Sequence, residues 1–183
     1  MDNGESSYRR FLMGNNEGLL EIIREYRTGL LLYLNSFVQN IHTAEDLTED
    51  TFFEIMVKRP KFSGKSTFKT WIYSIGRNIA AKNLRKDAKL SVVPLELQEY
   101  LADEESIEIN YIKSEQNRMV HQALHQLKLE YRQILYLSYF ENFSIKEISL
   151  ITKQSEKQVK NLLYNAKKSL KSELERSGFE YEE

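Results

Sequence analysis

The chain has 183 residues, enough for one domain or two small ones, and its charges nearly cancel to a net −1. With only 7 glycines and 2 prolines it has few turn-forming residues for an all-β protein, and its helical periodicity predicts an all-α fold. The absence of cysteine excludes a disulfide framework and a thiolate metal site. Because we find no apolar signal core and no run near ~18 apolar residues, we expect a cytoplasmic protein without membrane insertion.

The small net charge hides segments of opposite sign. Residues 65–89 carry a balance of +6 and residues 153–171 one of +5, whereas residues 94–115 between them carry −6. One basic segment could be an ordinary solvated helix face. Two basic segments that flank an acidic stretch favour two nucleic-acid contacts joined by a linker.

The first domain is predicted to comprise residues 1–88 and four helices. A short helix begins at Ser6 or Ser7. A long helix, capped by Asn16, follows to about Val38, and its apolar residues fill more than one stripe, as expected at the centre of a bundle.

The third helix ends near Lys58 and is predicted to begin with a capping box formed by Thr43 and Asp46. Three acidic residues and one aromatic residue are spaced i, i+3, i+4 and i+7, so they share one face opposite an apolar side. A basic partner helix could dock on this face. These residues are Asp46, Glu49, Asp50 and Phe53.

Residues 59–66, RPKFSGKS, contain a proline and a glycine and are predicted to form a loop. Ser66 can cap a fourth, basic helix that runs to about Lys86. Trp71 lies on the apolar stripe of this helix, and we assign its ring to the core rather than to a stacking platform. Gly76 should weaken the helix by about 1 kcal/mol.

Residues 89–112 have weak periodicity and hold most of the acidic charge, which indicates a linker. A second domain, residues 113–176, should contain helices over 114–127 and 129–141 and a helix-turn-helix. An acidic tail, 177–183, would follow.

The helix-turn-helix is predicted within residues 143–170, where Ser144 with Glu147 and Ser155 with Gln158 fit capping boxes. Apolar residues recur along one side of its second helix, and lysines and amides lie mostly off that side, as in a recognition helix in a DNA major groove. A solvated pair of amphipathic helices is the alternative. The candidate DNA-contacting residues are Ser155, Lys157, Lys160, Asn161, Tyr164, Lys167 and Lys168.

Two histidines, His121 and His125, are four residues apart on a predicted helix, a spacing that zinc could use. The sequence places no third ligand near them, and it shows no nucleophile with a base, no phosphate loop and no paired catalytic carboxylates. We therefore expect no metal site, no cofactor and no enzymatic activity.

Three segments in order carry a resemblance to a known family: AEDLTEDTFFEIM (44–56), FSGKSTFKTWIYSIGRNIAAKNLRK (62–86) and LKLEYRQILYLSYFENFSIKEIS (127–149). Together they resemble bacterial RNA polymerase sigma factors of the extracytoplasmic function type, in the sigma-70 family. The resemblance implies a region 2 four-helix bundle and a region 4 helix-turn-helix domain. It also implies a protein that binds core RNA polymerase, directs it to promoters and helps to melt one promoter element.

The resemblance further assigns surfaces to partners. The acidic helix would bind the clamp helices of the largest polymerase subunit, the flap of the second-largest subunit would be a further contact, and the helix-turn-helix would read the minus-thirty-five element. An anti-sigma factor is implied as a regulator. The loop and the fourth helix would capture a flipped base and track the minus-ten strand through Lys61, Phe62, Lys65, Lys69, Tyr73, Arg77 and Asn78, the last three on the outward side.

Alternatives stay open on the residues alone. Phe62 could anchor the loop to the bundle instead of contacting a base. The whole chain could be a helix-turn-helix transcription regulator with an N-terminal dimerisation or sensing bundle, or a helical interaction scaffold without a role on DNA.

Overall fold

The computed structural model describes residues 3–90 and 115–179, in which all regular structure is helical, as predicted. The first group of helices is α1 (Asn3–Leu12), α2 (Glu17–Val38), α3 (Ile41–Lys58) and α4 (Phe68–Leu90). The second group is α5 (Glu115–His125), α6 (Leu129–Leu135), α7 (Ile145–Thr152) and α8 (Glu156–Arg176), with a π-helical turn (Tyr136–Phe140) after α6. None of these described helices is long and apolar enough to cross a bilayer.

The long helix α2 is the centre of the first group, as its broad apolar surface predicted. It packs against α1, α3 and α4 and also touches α6 of the second group. Ile22, Leu30 and Leu34 on α2 are at most 1% exposed because neighbouring helices cover several of its sides. Gly76 of α4 has a packing role here, since a Cβ at this position would lie 2.9 Å from Leu30 Cδ1.

Two of the predicted helix starts in the first group are wrong. Helix α1 begins at Asn3, so Ser6 and Ser7 lie inside it, and the Ser7 hydroxyl donates to Glu21 instead of capping. Helix α3 begins at Ile41 with Asn40 as its cap. The Asn40 side chain accepts the Thr43 N–H at 2.9 Å because Asn40 holds the extended backbone that a cap needs.

Two further caps are displaced by one residue. Asn16 precedes α2 as predicted but makes no capping bond, and Asn15 Oδ1 instead accepts the Glu17 N–H at 3.0 Å. At the start of α4, Thr67 Oγ1 rather than Ser66 accepts the Thr70 N–H, at 3.2 Å. Polar neighbours compete for these caps, and spacing alone does not choose between them.

The second group follows the predicted pattern more closely. Ser144 and Ser155 both form complete capping boxes, and α8 continues to Arg176. The predicted helix over 129–141 is correct only to Leu135, after which the backbone widens into the π-helical turn. The predicted linker, 89–112, lies outside the described residues apart from its first two positions, which are part of α4.

The two groups of helices share one hydrophobic core. Helix α7 packs on α4, and α6 packs on α2. The Tyr73 and Phe143 rings meet edge to face across the junction, with their centroids 5.0 Å apart. Gly29 on α2 permits this approach, since a Cβ there would lie 2.6 Å from Glu141 Oε1 and 2.5 Å from the Tyr73 hydroxyl.

Candidate nucleic-acid and partner interface

The predicted acidic face of α3 is exposed. Asp46, Glu49, Asp50 and Phe53 all lie on the solvent side of the helix, and the Phe53 ring is 58% exposed. The opposite side is buried through Leu47, Thr51 and Ile55 among others, which explains why the acids face outward.

Sequence reasoning missed the apolar part of this surface. Met56 and Val57 continue from Phe53 along α3 and are 42% and 58% exposed. A groove of about 380 Å³ beside Phe53 separates α3 from Lys82 and Lys86 on α4. Exposed apolar residues beside acids form a surface suited to a partner with both apolar and basic groups.

The loop between α3 and α4 is anchored by aromatic rings. Phe62 is half-buried, and its ring centroid lies 5.6 Å from that of Phe68 and 5.3 Å from that of Trp71. The buried Tyr8 of α1 donates its hydroxyl hydrogen to the Pro60 carbonyl at 2.6 Å. This packing supports the anchoring role of Phe62, and it also places Trp71 against the core, as predicted.

The basic residues of the same loop remain available. Lys61 and Lys65 are exposed, and Gly64 has a φ of +70° that gives the loop its turn. A fixed aromatic wall with exposed lysines beside it is a geometry that a single strand of nucleic acid can use for stacking and phosphate contacts.

The face of α4 predicted to track DNA is largely covered. Tyr73 was expected to point outward, and this is wrong for the arrangement described here, because Phe143 and α2 leave it 1% exposed. Arg77 is half-buried and lines a cleft of about 370 Å³ between the two groups of helices, whereas Asn78 is exposed. Lys69 is partly covered as well.

The group that covers Lys69 is Glu141, which sequence reasoning did not single out. Lys69 Nζ lies 2.8 Å from Glu141 Oε2 and donates to the Glu141 carbonyl at 2.9 Å. The Glu141 side chain is 11% exposed. Burial raises the pKa of Tyr73, and the Glu141 carboxylate beside it raises that pKa further, so the phenol stays protonated and donates to Glu141.

A second carboxylate, that of Glu147, lies at the N-terminus of α4. Its Oε1 accepts from the Thr67 and Thr70 hydroxyls, each at 3.2 Å, and its Oε2 accepts from the Ser144 N–H at 2.9 Å. Burial opposes ionisation of this group, but the hydrogen bonds from Ser144 and the two threonines prevail and lower the pKa of Glu147. Only its capping-box role with Ser144 was predicted.

Arg132 forms the third polar contact between the groups. Its buried guanidinium donates from Nε to the Ser36 carbonyl at 2.6 Å, and from Nη1 to the Leu127 and His125 carbonyls at 3.1 and 3.2 Å. Burial lowers the pKa of Arg132. Gln39 Nε2 also donates to the His125 carbonyl at 2.8 Å.

The predicted recognition helix, α8, presents its candidate residues to solvent. Val159 and Ala166 are buried on the opposite side. Tyr164 is 71% exposed, and the Lys167 ammonium lies 5.3 Å from the centroid of the Tyr139 ring. All seven residues predicted to contact the minus-thirty-five element are exposed: Ser155, Lys157, Lys160, Asn161, Tyr164, Lys167 and Lys168.

The second group also carries an apolar groove of about 700 Å³ that the sequence did not reveal. The π-helical turn exposes Tyr139 and Phe140 at its rim, and Lys167 and Lys171 lie at its edge. The other residues that line it are Val120, Leu124, Leu135, Leu170, Leu174 and Phe179.

The histidines do not converge on a metal site. The His121 ring lies 5.4 Å, between centroids, from Phe140, and the His125 backbone carbonyl accepts from Gln39 and Arg132. Among residues 3–90 and 115–179, no group of three or more His, Asp or Glu side chains is arranged to hold an ion.

Comparisons with known proteins agree with this architecture. A family model described as sigma-70 region 2 matches residues 22–90, and one described as sigma-70 region 4 matches residues 117–170. RNA polymerase sigma factor YlaC of Bacillus subtilis (strain 168) is 28% identical over 170 residues, which is 90% of this chain and 96% of the relative. Sigma factor SigV of the same organism is 28% identical over 156 residues, 85% of this chain and 90% of the relative.

Solved structures show the same fold. CnrH, solved in complex with the cytosolic domain of CnrY, matches with a TM-score of 0.69 and 18% identity over 96% of this chain and 99% of its own. The sigma factor RpoE of Bartonella quintana, solved in complex with the anti-sigma factor NepR, matches with a TM-score of 0.66 and 21% identity. That match covers 85% of this chain and 95% of the other.

Proposed function

Because this chain belongs to the extracytoplasmic function group of the sigma-70 family, whose members direct core RNA polymerase to promoters, we propose how its surfaces divide that task. Residues 1–88 would bind the polymerase and melt the minus-ten element, and residues 113–176 would read the minus-thirty-five element. The alternative of an ordinary helix-turn-helix regulator is set aside, because the region 2 family model matches the N-terminal helices.

Core polymerase docks on the exposed face of α3 in this proposal. The supporting observation is that Asp46, Glu49, Asp50 and Phe53 share one solvent-facing side and continue into exposed Met56 and Val57. The acids attract and orient a basic clamp helix, and the apolar residues supply buried area once the helix is seated.

The apolar groove of the second group is a candidate for the polymerase flap. Its lining is almost entirely hydrophobic, and Tyr139 and Phe140 at its rim are 52% and 41% exposed. A groove of this kind accepts the apolar side of a partner helix. The chain would thus hold the polymerase at two separate points.

Promoter reading is assigned to α8 and to the loop before α4. The observation that carries this part is the exposed face of α8. Its lysines, Asn161 and Tyr164 all lie in solvent on that face. In this proposal, Asn161 and Lys160 would contact base edges, and Lys167 and Lys168 would contact phosphates. The exposed Lys61 and Lys65 beside the Phe62 ring form the candidate minus-ten capture site.

The test of this function is run-off transcription with purified core polymerase and a genomic promoter library. We expect transcripts that depend on the chain and share two promoter elements. Failure of the chain to co-purify with core polymerase, or transcripts without a shared element, would contradict the proposal.

Melting is tested separately by Phe62→Ala with Lys65→Ala, compared on duplex DNA and on a template already mismatched across the minus-ten element. If the loop captures a flipped base, transcription falls on duplex DNA and recovers on the bubble, since the unpairing cost of a few kcal/mol is removed. An equal loss on both templates, or a large fall in melting temperature, would mean that Phe62 only anchors the loop.

Several further expectations complete the proposal. An anti-sigma factor is a fitting regulator, since NepR is described as one in the structure of the Bartonella quintana relative. The chain would act in the cytoplasm, where the polymerase is, and would not itself be a catalyst.

A further inference from the structure

The loop between α3 and α4 begins with two residues that side chains of α1 contact directly. The Tyr8 hydroxyl donates to the Pro60 carbonyl at 2.6 Å, and the Arg59 guanidinium carbon lies 5.0 Å from the centroid of the Phe11 ring. Tyr8 and Phe11 are each only 2% exposed, so both contacts start from the core. Arg59 has a φ of +45°, which a residue other than glycine keeps only where its surroundings fix it. Helix α1 supplies part of those surroundings.

Tyr8 also supports the aromatic wall on which Phe62 lies. Its ring centroid is 5.6 Å from that of Phe68 and 5.2 Å from that of Trp71. The same two rings contact Phe62 from the other side of the loop. One side chain of α1 therefore holds both the backbone that precedes Phe62 and the rings beneath it.

Helix α1 is itself seated closely on α2. A Cβ at Gly18 of α2 would lie 2.2 Å from the Ser7 carbonyl oxygen and 2.9 Å from the Phe11 backbone nitrogen, so the two backbones are in direct contact. The Ser7 hydroxyl donates to Glu21 at 2.6 Å, and Arg10 pairs with the same carboxylate. The position of α1, and with it the start of the loop, is thus fixed by the central helix.

We propose that Tyr8 and Phe11 are positioning residues for minus-ten capture by the loop, residues 59–66. By holding Pro60 and Arg59, they keep the loop in the shape that receives an extruded base. A loop ordered in advance loses less conformational freedom when the base arrives, and it therefore binds the base more tightly. The proposal rests on the capture role of the loop proposed above.

The experiment removes one hydroxyl and keeps the ring, in Tyr8→Phe. The matched control is Tyr33→Phe on α2. Tyr33 is 0% exposed, and its hydroxyl has no hydrogen-bond partner among the described residues, so the same chemical change there costs no bond. Both variants are assayed with core polymerase on a promoter from the run-off library, as duplex DNA and as the template mismatched across the minus-ten element.

The two templates separate positioning from a general effect on the fold. Because one neutral hydrogen bond is lost, we expect Tyr8→Phe to reduce transcription from duplex DNA by about 5-fold. Most of that loss should disappear on the mismatched template, where the cost of unpairing is already removed. The control should match the parent chain on both templates, and both variants should bind core polymerase as the parent does.

The position of the loop can also be measured in the free chain. Trp71 is the single tryptophan of the sequence, and its indole contacts the rings of both Phe62 and Tyr8. If Tyr8 holds the loop, Tyr8→Phe should leave the indole less covered by Phe62. Acrylamide should then quench its fluorescence more strongly than in the parent chain or in Tyr33→Phe. This measurement needs neither polymerase nor DNA.

A second variant tests the other contact of α1. Phe11→Leu keeps an apolar side chain in the core and removes the aromatic face beneath the Arg59 guanidinium. We expect it to lower transcription from duplex DNA, with recovery on the mismatched template. That result would support the proposal even if Tyr8→Phe folded poorly.

The opposite results would overturn the positioning role. They are equal transcription by Tyr8→Phe and its control on duplex DNA, an equal loss on both templates, or unchanged quenching of Trp71. The capture role itself is tested by Phe62→Ala with Lys65→Ala. Recovery by that variant on the mismatched template, with no effect of Tyr8→Phe, would reject positioning alone. No recovery by that variant would reject the capture role, and positioning for capture with it.

Discussion

Arg132 allows a quantitative test of how the two groups of helices are joined. Its side chain is buried and donates to carbonyls at the C-terminal ends of α2 and α5, where the helix dipoles favour a positive charge. The change Arg132→Met keeps an unbranched apolar stem as far as the position of Nε and removes every donor.

The expected loss of stability follows from the backbone carbonyls that the variant leaves without a hydrogen-bond donor. The His125 carbonyl keeps its bond from Gln39, but the Ser36 and Leu127 carbonyls lose the guanidinium. A buried acceptor without its partner costs about 1–3 kcal/mol, so two acceptors cost about 2–6 kcal/mol. The better burial of the apolar Met side chain returns about 1 kcal/mol. We therefore expect Arg132→Met to lower the free energy of unfolding by about 1–5 kcal/mol.

The assay is urea unfolding followed by circular dichroism, with Arg24→Met as the control. Arg24 is 69% exposed and pairs with Glu17 on the surface of α2, so its loss should change stability by no more than about 1 kcal/mol. If Arg132 couples the two groups, its variant should also unfold over a broader or divided transition. A variant as stable as the control, with one sharp transition, would refute the coupling role.

Two further predictions concern the proposed partner surfaces. Charge reversal by Asp46→Lys with Glu49→Lys should weaken the binding of core polymerase by at least ~2 kcal/mol without loss of fold. The control, Glu25→Lys on the exposed side of α2, should leave that binding unchanged. Equal effects of the two would exclude specific docking on α3. On α8, Asn161→Ala should change preference at one or two promoter positions by ~1–3 kcal/mol, whereas Lys167→Ala should weaken all promoters alike and reduce the salt slope by ~1. An unchanged ranking of a randomised upstream element with Asn161→Ala would remove that residue from base reading.

Local signals account for most of what the sequence could predict. The predicted serine caps of α7 and α8 are confirmed. Each serine has a glutamate or glutamine three residues later, so the hydrogen bonds of the capping box form within one turn of the chain. The exposure of Asp46 and Phe53 was predictable for a related reason, since Leu47, Thr51 and Ile55 place the buried side of α3 opposite them. Caps were misplaced where several small polar residues adjoin, as at Ser66 and Thr67.

Contacts between distant helices could not be predicted in the same way. Glu141 follows a run of apolar residues, and nothing local shows that the chain widens into a π-helical turn before it. Nothing local marks Gly29 either, but its missing Cβ is what admits Glu141 and Tyr73. The apolar groove was hidden for the same reason, because Tyr139 and Phe140 fit a continuous helix equally well.

The fold shows which of the basic segments are exposed and which are covered by acidic residues. The sequence separates basic and acidic segments, which favoured two independent DNA contacts. In the folded chain, Glu141 pairs with Lys69 and Glu147 accepts from Thr67 and Thr70 at the start of the first basic segment, whereas the basic face of α8 stays open. In the described arrangement, the basic groups open to DNA therefore include those of α8 and of the loop before α4.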